Sequence, residues 1–335
     1  MNNIWHFLRD FESKELIKRY VKNRFEYSIN TSKAHEIASA FAQAREYFVS
    51  YEKADISVKP LLQYYGVIAL SRGLVLILNK DSRENNIVPS HGLKIKNWNE
   101  VSHSGKLEDI VLKTSKGTFI ELIHATNNLS YFRVGSSGIG WKIKYGIPEN
   151  EIEVLLKDII YCFPDLSQSI DTWLDISIPS IQFEKSKSEE GIVEMEFRYW
   201  GSSDVIHTIF PVEKFDDLDI KVNEVDSKAV VRFKNNRFIT ISQKWVSAFR
   251  NIGDPYVSPL FKNDVFINDI SKMYSISFVL GTISRYYPAT WGNINKGIAN
   301  DSILPFAINM MDFIQDKYPR IVMDFIKAPY EFEKK

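Results

Sequence analysis

Apolar and polar positions along this chain change rhythm twice. From residue 1 to about 80 the spacing is helical. In SKAHEIASAFAQAREYFVSYEKA, the apolar positions Ile37, Ala38, Phe41, Ala44 and Phe48 recur on one helical face, and Ser32 is placed to cap the start. The next segment opens with Pro60 in its first turn and runs to Leu78, apolar almost all round, as in a helix enclosed by neighbours. Gly66, Ala69 and Gly73 form a stripe of small residues along it.

From about 105 to 250 the period becomes that of strands. LEDIVLKT and GTFIELIHAT flank SKG and read as a hairpin. YFRVG and WKIKYG follow, then a short helix, ENEIEVLLKDIIYCF, stopped by Pro164. IVEMEFRYW, DVIHTIFPV, KAVVRFKN and RFITISQKW read as further strands, with Asn235–Asn236 as a turn and KSKSEEG as a polar turn or flexible loop. Beyond about 264 the helical period returns. NDISKMYSISFVLGTISRYYP carries Ser277, Gly281 and Ser284 on one side. DSILPFAINMMDFIQDKYP places Pro305 in a first turn behind Ser302, and Pro319 interrupts the final segment. The pattern predicts an α+β protein in which helical N- and C-terminal regions (1–100 and 256–335) pack together around a central antiparallel β-rich region (101–255). It also predicts that the two small-residue stripes face each other.

Composition narrows this further. Hydrophobic residues at 44% and charged residues at 25% suit a folded globular chain. Lys plus Arg equals Asp plus Glu at 42 each, which argues against a broad basic footprint for duplex nucleic acid and leaves room for a local patch. The single cysteine, Cys162 in IIYCFP, excludes an internal disulfide framework and a cysteine-rich zinc site and reads as a buried thiol. MNNIWHFLRDFESKELIKRY has no apolar leader core. In LLQYYGVIALSRGLVLILN, Arg72 would cost about 2.5–3.5 kcal/mol at a bilayer centre, so the expectation is a core helix in a cytoplasmic protein with no membrane partner.

Candidate chemistry gathers in two places. In RENNIVPSHGL, Arg83 offers a planar fork for phosphate and His91 a general acid or base, with Gly92 allowing close backbone approach. The same residues also fit an ordered turn around Pro89. The second place is Arg285, Tyr286, Tyr287 and Trp291, where arginine and aromatic rings can stack a base or equally fill a helix end. GSSGIGWKIKYG at 135–146 has neither the P-loop nor the dinucleotide spacing and reads as a loop between strands. His103 falls in a turn, and His124 and His207 alternate within strands. No helical histidine pair, G-x-S-x-G elbow or kinase pattern is present, so no metal or cofactor is expected.

KPLLQYYGVIALSRGLVLILNK followed by SHGL, together with the late GTISRYYPATW, resembles the bacterial YaaC-like family. The likeness is an apolar helix with an aromatic-Tyr-Gly start, a His-Gly loop after it, and a late arginine and aromatic before a proline and a tryptophan. It implies a cytoplasmic bacterial protein and brings no mechanism with it. A second likeness is to HEPN-type ribonucleases, helical proteins with an arginine a few residues ahead of a histidine. Here seven residues separate Arg83 from His91, Pro89 lies between them, and Glu84 stands where that family favours a small polar residue. The expected function is a binding or interaction module in a bacterial stress or antiviral system, with a protein partner or a homo-oligomer and nucleic acid through a local patch. The alternative is a metal-independent nuclease using His91 with Arg83 or Arg72.

Overall fold

The computed structural model describes residues 4–134, 138–175, 178–242, 244–246, 255–259, 261 and 266–328. Helices α1 (Ile4–Leu8), α2 (Lys14–Phe25), α3 (Thr31–Lys53) and α4 (Lys59–Leu78) lead into strand β1 (His91–Ile95), α5 (Trp98–Ser104), β2 (Val111–Gly117) and α6 (Thr118–Ala125). The middle of the chain holds β3 (Leu129–Val134), β4 (Gly138–Lys144), β5 (Glu153–Leu155), α7 (Leu156–Ile160), α8 (Ser167–Leu174), β6 (Ile181–Glu189) and β7 (Ile192–Arg198). It continues through α9 (Asp204–Ile209), α10 (Val212–Phe215), β8 (Asp219–Asn223), β9 (Lys228–Lys234), α11 (Phe238–Ser242), β10 (Trp245–Val246) and β11 (Tyr256–Val257). Helices α12 (Asp269–Tyr286), α13 (Pro288–Asn295) and α14 (Leu304–Lys327) follow. The protein is α+β, with helical ends and a strand-rich middle.

Contacts divide it into two compact units: residues 1–128 with 147–153 and 267–335, and residues 129–146 with 154–266. In the first, α4 is the centre, because α3, α6, α12 and α14 all pack on it. Its Gln63 amide donates to Met311 O at 2.6 Å and Ser71 Oγ lies 2.6 Å from the Tyr318 hydroxyl, both buried, so the two ends of the chain share one core. By length and composition α4 is apolar enough to cross a membrane, and 67% of its most apolar stretch is buried inside the protein. Helix α14 runs unbroken through Pro319, with Pro305 in its first turn.

The small-residue stripe of α4 does not face α12. A Cβ on Gly66 would lie 2.7 Å from the Phe48 ring and one on Gly73 2.6 Å from the Phe41 ring, so this face is filled by aromatic rings of α3. On α12, Gly281 packs against Tyr64 of α4. The cap of α3 is also two residues earlier than Ser32: the Asn30 side chain accepts from Lys33 N at 2.8 Å.

Three segments with a strand-like reading are helical. After β2, Gly117 turns at φ 144°, and Thr118, Phe119, Leu122 and Ile123 then bury a helical face that leaves His124 exposed. Ile206, Ile209 and Phe210 do the same in and after α9, with His207 exposed. Asn235–Asn236 begins a 3-10 turn into α11 and makes no hairpin. Gly135–Ser137 of the glycine-bearing loop lie outside the described residues, and their flanks, β3 and β4, pair antiparallel.

The second unit carries a six-stranded antiparallel sheet in the order β10-β11-β6-β7-β9-β8. KSKSEEG is mostly strand; its turn is Glu190 and Gly191, both with positive φ, as a tight hairpin needs. One face buries Val193, Met195, Phe197, Val231 and Phe233 against Ile206, Phe210 and Phe215. The other carries alternating charges, with Glu194 held by Lys187 and Arg232, and Glu196 by Lys185 and Lys228.

Candidate functional site

The loop leaving α4 is anchored before it reaches β1. Lys33 Nζ donates to the carbonyls of Asn79 and Lys80 at 2.7 and 2.6 Å, closing the C-terminal end of α4. Arg83 is clamped onto Glu36 of α3 through Nε at 3.0 Å and through Nη2, which also donates to Ser32 Oγ at 2.8 Å. Glu84 N donates to the other Glu36 oxygen at 3.0 Å. The Arg83 guanidinium holds the Glu36 carboxyl below the usual carboxylate range. Arg83 therefore fastens the loop to α3, with its charge already neutralised.

His91 is placed by its backbone. Its carbonyl accepts from the buried Tyr274 hydroxyl at 2.8 Å. Gly92 sits at φ 79° with its backbone against Phe119, where any Cβ would be 2.8 Å from Phe119 N. The imidazole is half-buried, its ring centroid 5.3 Å from Tyr64 and 6.2 Å from Phe278. Burial lowers its pKa below 6.5, and the positive charges of Arg285 and Arg72 lower it further. Both effects favour the neutral imidazole.

Arg72 rises from α4 into a groove of about 240 Å³ between α4, α3 and the loop. Ala69 and Leu76 flank it on α4; Glu36, Ser39, Ala40 and Gln43 come from α3, and Glu84 and Ile87 from the loop. Its Nε is buried with no hydrogen-bond acceptor among the described residues. Arg285 lies 5.7 Å from the Tyr65 ring centroid and 4.8 Å from that of Tyr286, which is 57% exposed. Tyr65 in turn stacks on Tyr47 at 5.5 Å. The Tyr64 hydroxyl, beside that of Tyr274, has no hydrogen bond of acceptable geometry, and burial raises its pKa strongly.

The charges of Arg72 and Arg285 both act on His91, and Arg285 lies over the Tyr286 ring; of these four, Arg72 lines the groove and the others lie outside its lining. Arg83 faces Glu36, and Trp291 is 2% exposed with its indole N–H donating to Ile56 O at 3.0 Å. Sequence reasoning missed Tyr64, Tyr65, Gln43 and Glu84. Tyr65 and Arg72 are seven positions apart on one helix and so share a face, which the spacing carries. Among the described residues, no group of three or more His, Cys, Asp or Glu side chains is placed for a metal ion. In the second unit, the Lys244 amine is fully buried against the rings of Phe210 and Phe215, at 4.4 and 4.7 Å, without a hydrogen-bond partner among the described residues. The Cys162 thiol is buried, as its apolar context predicts.

The fold defines an α+β protein whose central helix α4 borders a groove lined by Arg72, Glu36 and Glu84 over apolar walls. A family model described as YaaC-like Protein matches residues 9–326, and the chain belongs to that family. No curated protein and no solved structure matches it.

Proposed function

We propose that the protein is a binding module whose groove takes a nucleotide, either free or at the end of a single strand. The observation that carries the reading is the buried, unpartnered Arg72 Nε beside His91 and Arg285. A buried donor without an acceptor costs about 1–3 kcal/mol, a cost that an anionic or acceptor-bearing ligand removes. Arg285, outside the groove lining, suits a phosphate, and the exposed Tyr286 ring beside it suits an unstacked base. A zero net charge agrees with one local patch and not a duplex-binding face.

Isothermal titration of AMP, GMP, UMP and inorganic phosphate into the full chain tests this. Binding by the wild type, weakened at least about tenfold in Arg72→Met and in Arg285→Ala, supports it. Arg83→Gln, whose guanidinium faces Glu36, should bind within a few-fold of wild type. No binding by any of these ligands, or equal binding by Arg72→Met, defeats the reading.

One observation favours a second reading, cleavage of a phosphodiester. Burial of His91 favours the neutral form a general base needs, and the charges of Arg285 and Arg72 that act on it suit the developing charge. RNA cleavage in EDTA by the wild type that disappears in folded His91→Ala would favour hydrolysis. Binding without cleavage favours the module.

A further inference from the structure

The groove has two chemically distinct sides on either side of flat apolar walls. Ala40, Ala69, Leu76 and Ile87 supply the walls. Arg72 supplies a fork of donors with its Nε unmatched. Glu36 also lines the groove, but its oxygens already accept from Arg83 and from Glu84 N, so it has little left for a ligand. The Glu84 carboxylate is different: its side chain is exposed at the groove and has no hydrogen bond or ion pair among the described residues. The site therefore offers one donor fork and one acceptor pair, both lining the same groove. About 240 Å³ corresponds to roughly eight water volumes, room for one bicyclic base.

Resting on the nucleotide reading, we infer that the groove selects guanine. Guanine presents two adjacent acceptors, O6 and N7, which match an arginine fork, and two adjacent donors, N1–H and the N2 amine, which match one carboxylate. Arg72 reads the first pair and Glu84 the second. Adenine carries a donor at N6 where Arg72 needs an acceptor. Uracil has a single ring N–H between two carbonyls, which a carboxylate repels. With the base in the groove, the phosphate is assigned to Arg285, outside the groove lining, whose charge acts with that of Arg72 on His91.

The test is a titration of GMP, IMP, AMP and inorganic phosphate into full-length wild type and Glu84→Gln. Inosine keeps O6, N7 and N1–H and lacks the N2 amine, so IMP removes one of the two contacts assigned to Glu84 and leaves the Arg72 pair intact. GMP should bind more tightly than IMP and AMP by roughly 5- to 150-fold, the span of one bidentate pair. Glu84→Gln should bring GMP to the IMP level and leave AMP and phosphate unchanged. Glu84 is exposed and supports no other side chain, so the variant keeps its fold, and the ligand series is informative even without it. Equal affinities for GMP, IMP and AMP, or a Glu84→Gln variant that weakens every nucleotide alike, overturns guanine selection while leaving nucleotide binding intact. Nucleotide and phosphate affinities that all vanish defeat the underlying reading instead. A short oligonucleotide ending in guanosine separates the two sources of the base: a gain over GMP marks a strand end, and equal affinity marks the free nucleotide.

Discussion

Two glycines in neighbouring helices should respond oppositely to the same substitution. A Cβ on Gly281 of α12 would lie 2.7 Å from Tyr64 Cβ and 2.9 Å from its ring atoms Cγ and Cδ1. That is about 0.7 Å short of ordinary contact, and Tyr64 Cβ is fixed to the α4 backbone, so no rotamer relieves it. The helices must separate, at an overpacking cost of about 1–3 kcal/mol. Replacing a helical glycine by alanine returns up to about 1 kcal/mol through backbone entropy. Gly281→Ala should therefore be destabilised by about 1–2 kcal/mol. Gly292 of α13 has nothing within 4 Å of its Cβ position, so Gly292→Ala keeps only the favourable part, a gain of about 0.4–1 kcal/mol. Urea unfolding at matched m-values reads both. A neutral or stabilised Gly281→Ala, or the same sign in both variants, would refute the close α4–α12 seam.

Other outcomes follow from the buried charges. Lys244→Met should raise stability at neutral pH by at least ~1 kcal/mol, because burial holds the amine well below its ordinary 10.5. Between the folded and unfolded values the unfolded chain binds more protons, so wild-type stability should climb with pH through that window, and the variant should lose the climb. Equal pH slopes in the two proteins count against a buried amine. Arg83→Gln should raise hydrogen exchange across residues 79–90, since the Glu36 clamp is what ties that loop to α3. The clamp holds the Glu36 carboxyl below its usual range, so its contribution is present above about pH 4.5 and fades as acid protonates Glu36. Arg83→Gln should unfold with less dependence on acid, and an unchanged acid transition would contradict the clamp.

The long helices were legible because their periodicity extends over many turns, as in α3, where Ile37, Phe41, Ala44 and Phe48 are all buried as their spacing requires. Short segments were not. Over five to eight residues, Phe119–Ile123 or Ile206–Phe210 fit either period, and a turn such as Gly117 decides which one is realised. The stripe on α4 shows a second limit: spacing reveals a face of small residues without naming what fills it. Phe41 and Phe48 are seven apart, as are Gly66 and Gly73, so the antiparallel α3–α4 pair matches ring to gap at two levels. The candidate site divides the same way. Arg72, His91, Arg285 and Tyr286 were each identifiable by residue type, but their convergence depends on α12 packing on α4 from across the chain. The pairing of Arg83 with Glu36, 47 positions away, is what removes it from that group.

Arginine side-chain NMR tests the central claim most directly. In protein labelled with ¹⁵N at arginine, the Nε–H signal of Arg72, assigned by its loss in Arg72→Met, reports the unpartnered donor. Saturation with GMP should shift that signal and slow its exchange with water, as a buried hydrogen bond forms, while the Arg83 signal stays in place. An Arg72 signal that does not move at saturating nucleotide would contradict the account.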